Sequence, residues 1–157
     1  MTFTLPVIHQ AIKADKKSLL RFYKSQRYCA SFMGGDKSYF IKSTTTDDII
    51  ASVIISKIRP DHHQWFLHAV VVDHRYQKQG LATALIKYVA TLYSPLVCFA
   101  KANLSNLYQQ AGMKIINPEH INEQLSTELA SRYYLYIKKQ KYLTVFIKSS
   151  SCSFSNA

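Results

Sequence analysis

The stretch Val70-Val71-Val72-Asp73-His74-Arg75-Tyr76-Gln77-Lys78-Gln79-Gly80-Leu81-Ala82 passes from an apolar strand through a polar loop into a helix opened by a glycine. That order of residue types suits a phosphate. The first N–H groups of a helix have no partner within it, and the helix dipole adds partial positive charge there. Together they hold a phosphate or pyrophosphate. Gly80 lets such a group approach the backbone closely, and Ala82 is too small to obstruct it. Arg75 and Lys78 are placed to add charge at the rim. A single glycine between strand and helix also makes an ordinary turn, and chemistry alone leaves both readings open.

Other reactive residues form no recognisable constellation. The three cysteines, Cys29, Cys98 and Cys152, lack metal-ligand spacing and cannot all pair. Cys98 lies in an apolar run, where cysteine behaves as a small core residue, and no Cys–His nucleophile pair presents itself. His62-His63 has no carboxylate or third histidine at ligand spacing, so it reads as a solvated turn and no metal is expected. The basic, aromatic segment Arg132–Tyr142 offers charge and stacking surfaces for RNA. At helical spacing its tyrosines equally pack on the domain, and nucleic acid is the less favoured partner.

Hydrophobic periodicity supplies the elements that must position these groups. The opening Phe3–His9 reads as a short strand. Asp15 can cap a helix through Leu19, Leu20, Phe22 and Tyr23. Gly34-Gly35-Asp36 marks a turn. Ser38–Lys42 and Ile49–Ile58 form a hairpin across the polar Ser43–Asp48, and Arg59–His63 turns the chain into a strand, Gln64–Asp73. Strict alternation puts Trp65, Leu67, Ala69 and Val71 on one face of that strand and Phe66, His68, Val70 and Val72 on the other. Both faces are largely apolar, as in a central strand covered on two sides.

The helix from Gly80 carries Leu81, Ala84, Leu85, Tyr88, Val89 and Leu92 on one stripe. After Pro95 come a strand, Leu96–Ala100, and a short helix with Leu104, Leu107, Tyr108 and Ala111 on one side, ended by Gly112. Met113–Ile116 reads as a strand, Ser126 caps a helix toward Gln140, and Tyr142–Lys148 is a last strand. This order gives an α/β fold: a mixed sheet with helices on both faces, in one domain over residues 1–148. The serine-rich tail, 149–157, is expected to be disordered.

Length and composition agree with that reading. The 157 residues suit one sizeable core, and 48% apolar against 18% charged residues fits a globular chain. Twenty Lys and Arg against nine Asp and Glu leave a formal charge of +11, which favours anionic partners without choosing among them. No run approaches the ~20 apolar residues of a membrane span. With no apolar leader after a basic start, a reduced cytoplasmic setting is expected. Oligomeric state is left open, a homodimer through the C-terminal strand included.

Gln77-x-x-Gly80-x-Ala82, leaving an apolar strand and opening a helix, resembles the coenzyme A signature of the GCN5-related N-acetyltransferases, the GNAT family. Asn103-Leu104-Ser105-Asn106-Leu107-Tyr108-Gln109-Gln110-Ala111-Gly112-Met113 resembles the family's second signature, an asparagine-led helix with a tyrosine four residues before a glycine. The separation of the two and the element order from Phe3 to Gly112 match as well. The resemblance implies the acyl-CoA N-acyltransferase fold, with a mostly antiparallel sheet, and transfer of acetyl from acetyl-coenzyme A to a primary amine by direct attack.

Residue by residue, the resemblance implies that Val70, Val71 and Val72 supply backbone contacts to the pantetheine arm. The amides of Gln77, Lys78, Gln79, Gly80, Leu81 and Ala82 would hold the pyrophosphate, with Asn103 and Asn106 beside the cofactor. Tyr108 would be the general acid for the leaving thiolate, since a phenol near pKa ~10 can donate a proton within hydrogen-bond reach. Where many members place a Glu base, this chain has Phe66. His68, two residues on, shares its face, and an imidazole near ~6.5 suits proton removal from the amine, directly or through water. A buried neutral histidine is the equal alternative. The short segment Gln26–Lys37 implies an open acceptor cleft, near Tyr28, Phe32 and Met33, for a small amine or a peptide terminus. The competing function is a non-catalytic module of the same fold that binds an acidic partner or RNA.

Overall fold

The computed structural model describes residues 5–30, 32, 35–58 and 63–149. Its centre is a seven-stranded sheet formed by β1 (Ile8–Gln10), β2 (Lys37–Lys42), β3 (Ile49–Ser56), β4 (Trp65–Val72), β5 (Leu96–Lys101), β6 (Lys114–Ile116) and β7 (Leu143–Lys148). The order across the sheet is β1-β2-β3-β4-β5-β7-β6, so β4 is central, as the two apolar faces require. Every neighbouring pair is antiparallel except β4 and β5. This is the mixed, mostly antiparallel sheet expected from the sequence.

Helices cover both faces. On one, α2 (Leu81–Leu92) and α3 (Ser105–Gln110) bury Leu85, Ile86, Val89, Tyr108 and Ala111 against Val53, Ile55, Leu67, Cys98 and Phe146. On the other, α1 (Lys16–Ser25) packs Phe22 and Tyr23 on Ile54 and Ala69. The same side carries α4 (Ile121–Gln124) and α5 (Thr127–Lys139), which cover Phe66, Val97, Val145 and Ile147. Each fully buried Leu, Ile or Val stabilises by about 1.5–3 kcal/mol, so the two layers hold the central strands in place.

Several local expectations are met. Ser126 caps α5 by accepting from the Leu129 N–H at 3.3 Å, and Gly112 ends the α3 turn at φ 93°. Others need correction. β1 begins at Ile8, and the turn reading for Gly34 and the tail from residue 150 lie outside the described residues. Asp15 stands at the start of α1, but its carboxylate reaches back and accepts from the Ile12 N–H at 2.8 Å. It therefore closes a 3-10 turn, Lys13–Asp15, that leads into α1. α4 was not expected, because four residues are too few to show a helical period.

The largest correction concerns β4. Ile54 pairs with His68 and Ser52 with Val71, so Val53 alone faces both Ala69 and Val70. That is a β-bulge, with Ala69 at φ 55°. An extra residue exchanges the faces beyond it. Trp65, Leu67, Val70 and Val72 lie on the α2 side, whereas Ala69 and Val71 pack with α1. The Tyr23 hydroxyl donates to the Ala69 carbonyl at 2.8 Å and fixes the bulge in place.

A candidate active site at the opened strands

β4 and β5 pair only at Trp65–Leu96, Phe66–Val97 and Leu67–Cys98. Past Leu67 they separate, while β5 stays paired with β7 as far as Lys101. The bulge bends β4 away at the point where pairing stops. From His68 to Val72 one backbone edge thus faces an opening instead of a strand. Main-chain donors and acceptors on that edge have no strand partner beside them and are ready to bond an extended polar chain.

Two cavities meet in this opening. One, about 560 Å³, lies on the α2 side and is lined by Val70, Val72, Lys78, Gly80, Ala82 and Leu107, among others. The second, about 610 Å³, lies between the sheet and α5, with walls that include Tyr28, Phe66, His68, Phe99, Tyr136 and Leu143. Val70, Leu104 and Tyr108 line both, so Tyr108 stands where they join.

The first cavity ends at the start of α2. The first bond within the helix runs from Ala84 N–H to the Gly80 carbonyl, which leaves the amides of Leu81, Ala82 and Thr83 without a helical partner. Gly80 has φ 80° and Lys78 φ 63°, a pair of left-handed residues that folds the loop tightly into the helix. A Cβ added at Gly80 would meet nothing within 4 Å. The glycine is therefore required by its backbone angle, and the space before the amides is open to an anion. Gln77 steadies the loop, its Nε2 donating to the Val72 carbonyl at 3.4 Å.

Arg75 does not reach this rim. Its guanidinium donates to both carboxylate oxygens of Asp73, at 3.2 and 3.0 Å. Asp73 is buried, and the hydrogen bonds from Arg75 hold its carboxyl below the usual range. Lys78 does line the cavity, whereas Gln79 is exposed beside it. Val71 faces α1, and only its backbone remains at the opening. Asn103 and Asn106 are exposed and line neither cavity; the 3-10 turn Ala102–Leu104 presents Leu104 there, and α3 presents Leu107 and Tyr108.

Tyr108 is 4% exposed, and its ring stacks on Phe146 with centroids 4.8 Å apart. Burial raises its pKa, and the Cys98 thiol beside it adds to the rise, so the phenol stays protonated across the neutral range. Burial likewise pushes the Cys98 thiol up to about 12, so it stays protonated across the neutral range. Tyr28 approaches from the loop after α1; burial raises its pKa and the main chain of Ala69 opposes the shift.

His68 stacks on Phe66 at 5.3 Å and shares a 2.6 Å hydrogen bond between Nε2 and the Ser56 hydroxyl. Burial lowers its pKa below 6.5, Arg132 lowers it further, and Asp36 opposes them. At neutral pH the ring is uncharged. When Nε2 donates to Ser56, Nδ1 keeps its lone pair and can accept a proton. The site thus combines an amide cradle, an opened backbone edge, a protonated phenol and a neutral imidazole. That combination can bind an extended anion along the strand edge and move protons at groups lodged beside Tyr108 and His68.

The comparisons with known proteins agree with the fold. The acetyltransferase (GNAT) family model matches residues 6–112, most of the chain, and the protein belongs to that family. No curated protein matches the chain by sequence. Among solved structures, N-acetylglutamate synthase from Neisseria gonorrhoeae, complexed with coenzyme A and N-acetyl-glutamate, is similar with a TM-score of 0.65 and 10% identity. The match covers 94% of this chain but 35% of that one, so this chain spans about a third of the synthase. A GNAT-family acetyltransferase from Streptococcus pneumoniae has a TM-score of 0.63 at 14% identity, over 90% of this chain and 98% of the other. A spermidine N-acetyltransferase chimera from Vibrio cholerae and hSSAT has a TM-score of 0.59 at 10% identity, over 90% and 93%. At these identities the likeness concerns the fold.

Of the residues named from the sequence, His68, Val70, Val72, Gln77, Lys78, Gly80, Leu81, Ala82 and Tyr108 line the opening. The sequence reading missed Leu104, Leu107, Tyr136, Lys101 and Lys139 as wall residues. Apolar residues of a helix stripe look like core in a sequence. Tyr136 and Lys139 are brought in by α5; helical spacing signals that its tyrosines pack on the domain, but not that they border the opening. Among the described residues no group of histidines, cysteines or acids could hold a metal; His62 lies outside them. No described helix is long and apolar enough to cross a membrane.

Proposed function

We propose that residues 1–148 act as one N-acetyltransferase domain that moves acetyl from acetyl-coenzyme A to a primary amine. The observation that carries this reading is the position of Tyr108, at the junction of the amide-floored cavity and the aromatic one. Acetyl-coenzyme A supplies the activated acyl group as a thioester. The Leu81–Thr83 amides and Lys78 would hold its pyrophosphate, and the edge of β4 at Val70 and Val72 would bond its pantetheine arm.

The protein's own groups then handle the protons. The aromatic cavity holds the amine against the opening, and His68 Nδ1 accepts a proton from it, directly or through a water. The bond from nitrogen to the acetyl carbon forms as the carbon–sulfur bond breaks, and Tyr108 donates a hydrogen bond and then its proton to the departing sulfur. The bulge at Ala69 matters because it aims the β4 edge into the cleft while Tyr23 holds it from behind. In this scheme the amine attacks the thioester directly, and the buried Cys98 thiol stays protonated beside Tyr108. Release of free thiol from acetyl-coenzyme A, measured against a panel of amines, tests the proposal; no amine-dependent release by a protein that binds the cofactor refutes it.

A further inference from the structure

Resting on the acetyltransferase reading, we propose that the acceptor is a primary amine of the α-amino-acid type, whose carboxylate sits between Lys101 and Lys139. The aromatic cavity has apolar walls, Phe66, Phe99, Tyr136 and Leu143, and a charged end. Among the described residues that line it there are two lysines and no Asp or Glu. Lys101 is the last residue of β5 and pairs with Leu143, the first of β7. Lys139 is the last residue of α5, from which the chain returns to Leu143 through Gln140. Both lysines therefore line the cavity from the end where β5, β7 and α5 meet. The C-terminus of α5 brings roughly half a negative charge to this rim, which the two full charges outweigh.

Among the described residues that line this cavity, no carboxylate is present to pair with a second positive charge on the amine. Among the described acids, Asp36 is the one felt at His68, and it lines a different hollow, under α1, together with Lys13 and Lys16. Arg132, lying 5.8 Å over the Phe66 ring, adds to the positive field. An acceptor with a carboxylate instead gains a charge-assisted contact while its apolar body lies on the rings. The same field disfavours the ammonium form of its amine, and only the neutral form attacks.

The experiment compares L-phenylalanine, L-phenylalaninamide, phenethylamine and spermidine as acceptors for the full chain and for Lys101→Gln/Lys139→Gln. Every preparation is also titrated calorimetrically with acetyl-coenzyme A. The free amino acid is expected to exceed its amide in kcat/KM by about tenfold, the advantage residing in KM. In the double variant that ratio falls below about twofold while cofactor affinity is kept. A better rate with the amide, the plain amine or spermidine overturns the inference, as does a ratio that survives both substitutions. Cofactor binding without turnover of the amino acid overturns the inference alone; absence of cofactor binding removes the acetyltransferase reading and the inference with it.

Discussion

Replacing Tyr108 by Phe removes one oxygen and keeps the ring stacked on Phe146. If the hydroxyl protonates the leaving sulfur, Tyr108→Phe lowers kcat by about 10²-fold, with cofactor affinity and melting temperature nearly unchanged. Steady-state kinetics beside a calorimetric titration check this. His68 predicts a pH dependence. Its folded pKa lies below 6.5, so the free base forms as pH rises through that lower value, and kcat/KM climbs with an acid limb centred below 6.5. His68→Gln removes the limb and costs about 10²-fold at neutral pH. The same shift has a stability consequence. The unfolded histidine binds a proton that the folded one resists, so the contribution is full above 6.5 and fades as pH falls through the folded value.

At the scale of elements, the bulge in β4 is the device that opens the sheet, and Tyr23 is its brace. Tyr23→Phe deletes the bond to the Ala69 carbonyl in a buried setting and is expected to cost about 1–2 kcal/mol, read by urea unfolding. Acetyl-coenzyme A affinity falls with it if the brace also aims the backbone edge. The elements themselves were largely legible: apolar runs gave the strands, and Gly80 and Gly112 marked the ends of α2 and α3. The bulge was not. Alternation assigned Ala69 and Val70 to faces they do not occupy, because one inserted residue leaves no trace in hydrophobicity when both faces are apolar. Arg75 failed for another reason. Its neighbour Asp73, two positions earlier, is buried and claims the guanidinium. The asparagines Asn103 and Asn106 fell outside the cleft because Leu104, Leu107 and Tyr108 of the same segment take the cavity side.

For the whole molecule, the helical layers pin both sides of the sheet, and the cleft lies where β4 and β5 lose contact between those layers. A ligand bound there bridges α2, α3 and the central strands. Acetyl-coenzyme A at about a hundred times its dissociation constant should stabilise the fold by ~2.7 kcal/mol, seen as a rise in melting temperature. The formal charge of +11 makes any polyanion a competitor. Stabilisation by short RNA but not by the cofactor, weakened steeply by salt, would instead favour a nucleic-acid-binding module.

The most direct test of the amide cradle is a calorimetric titration of acetyl-coenzyme A into the wild-type protein and into Ala82→Glu. A carboxylate in the first turn of α2 favours the helix but occupies and repels the place of a pyrophosphate. The account predicts one-to-one binding by the wild type and its loss in a variant that melts no lower. Failure of the wild type to bind, or undiminished binding by Ala82→Glu, would contradict it.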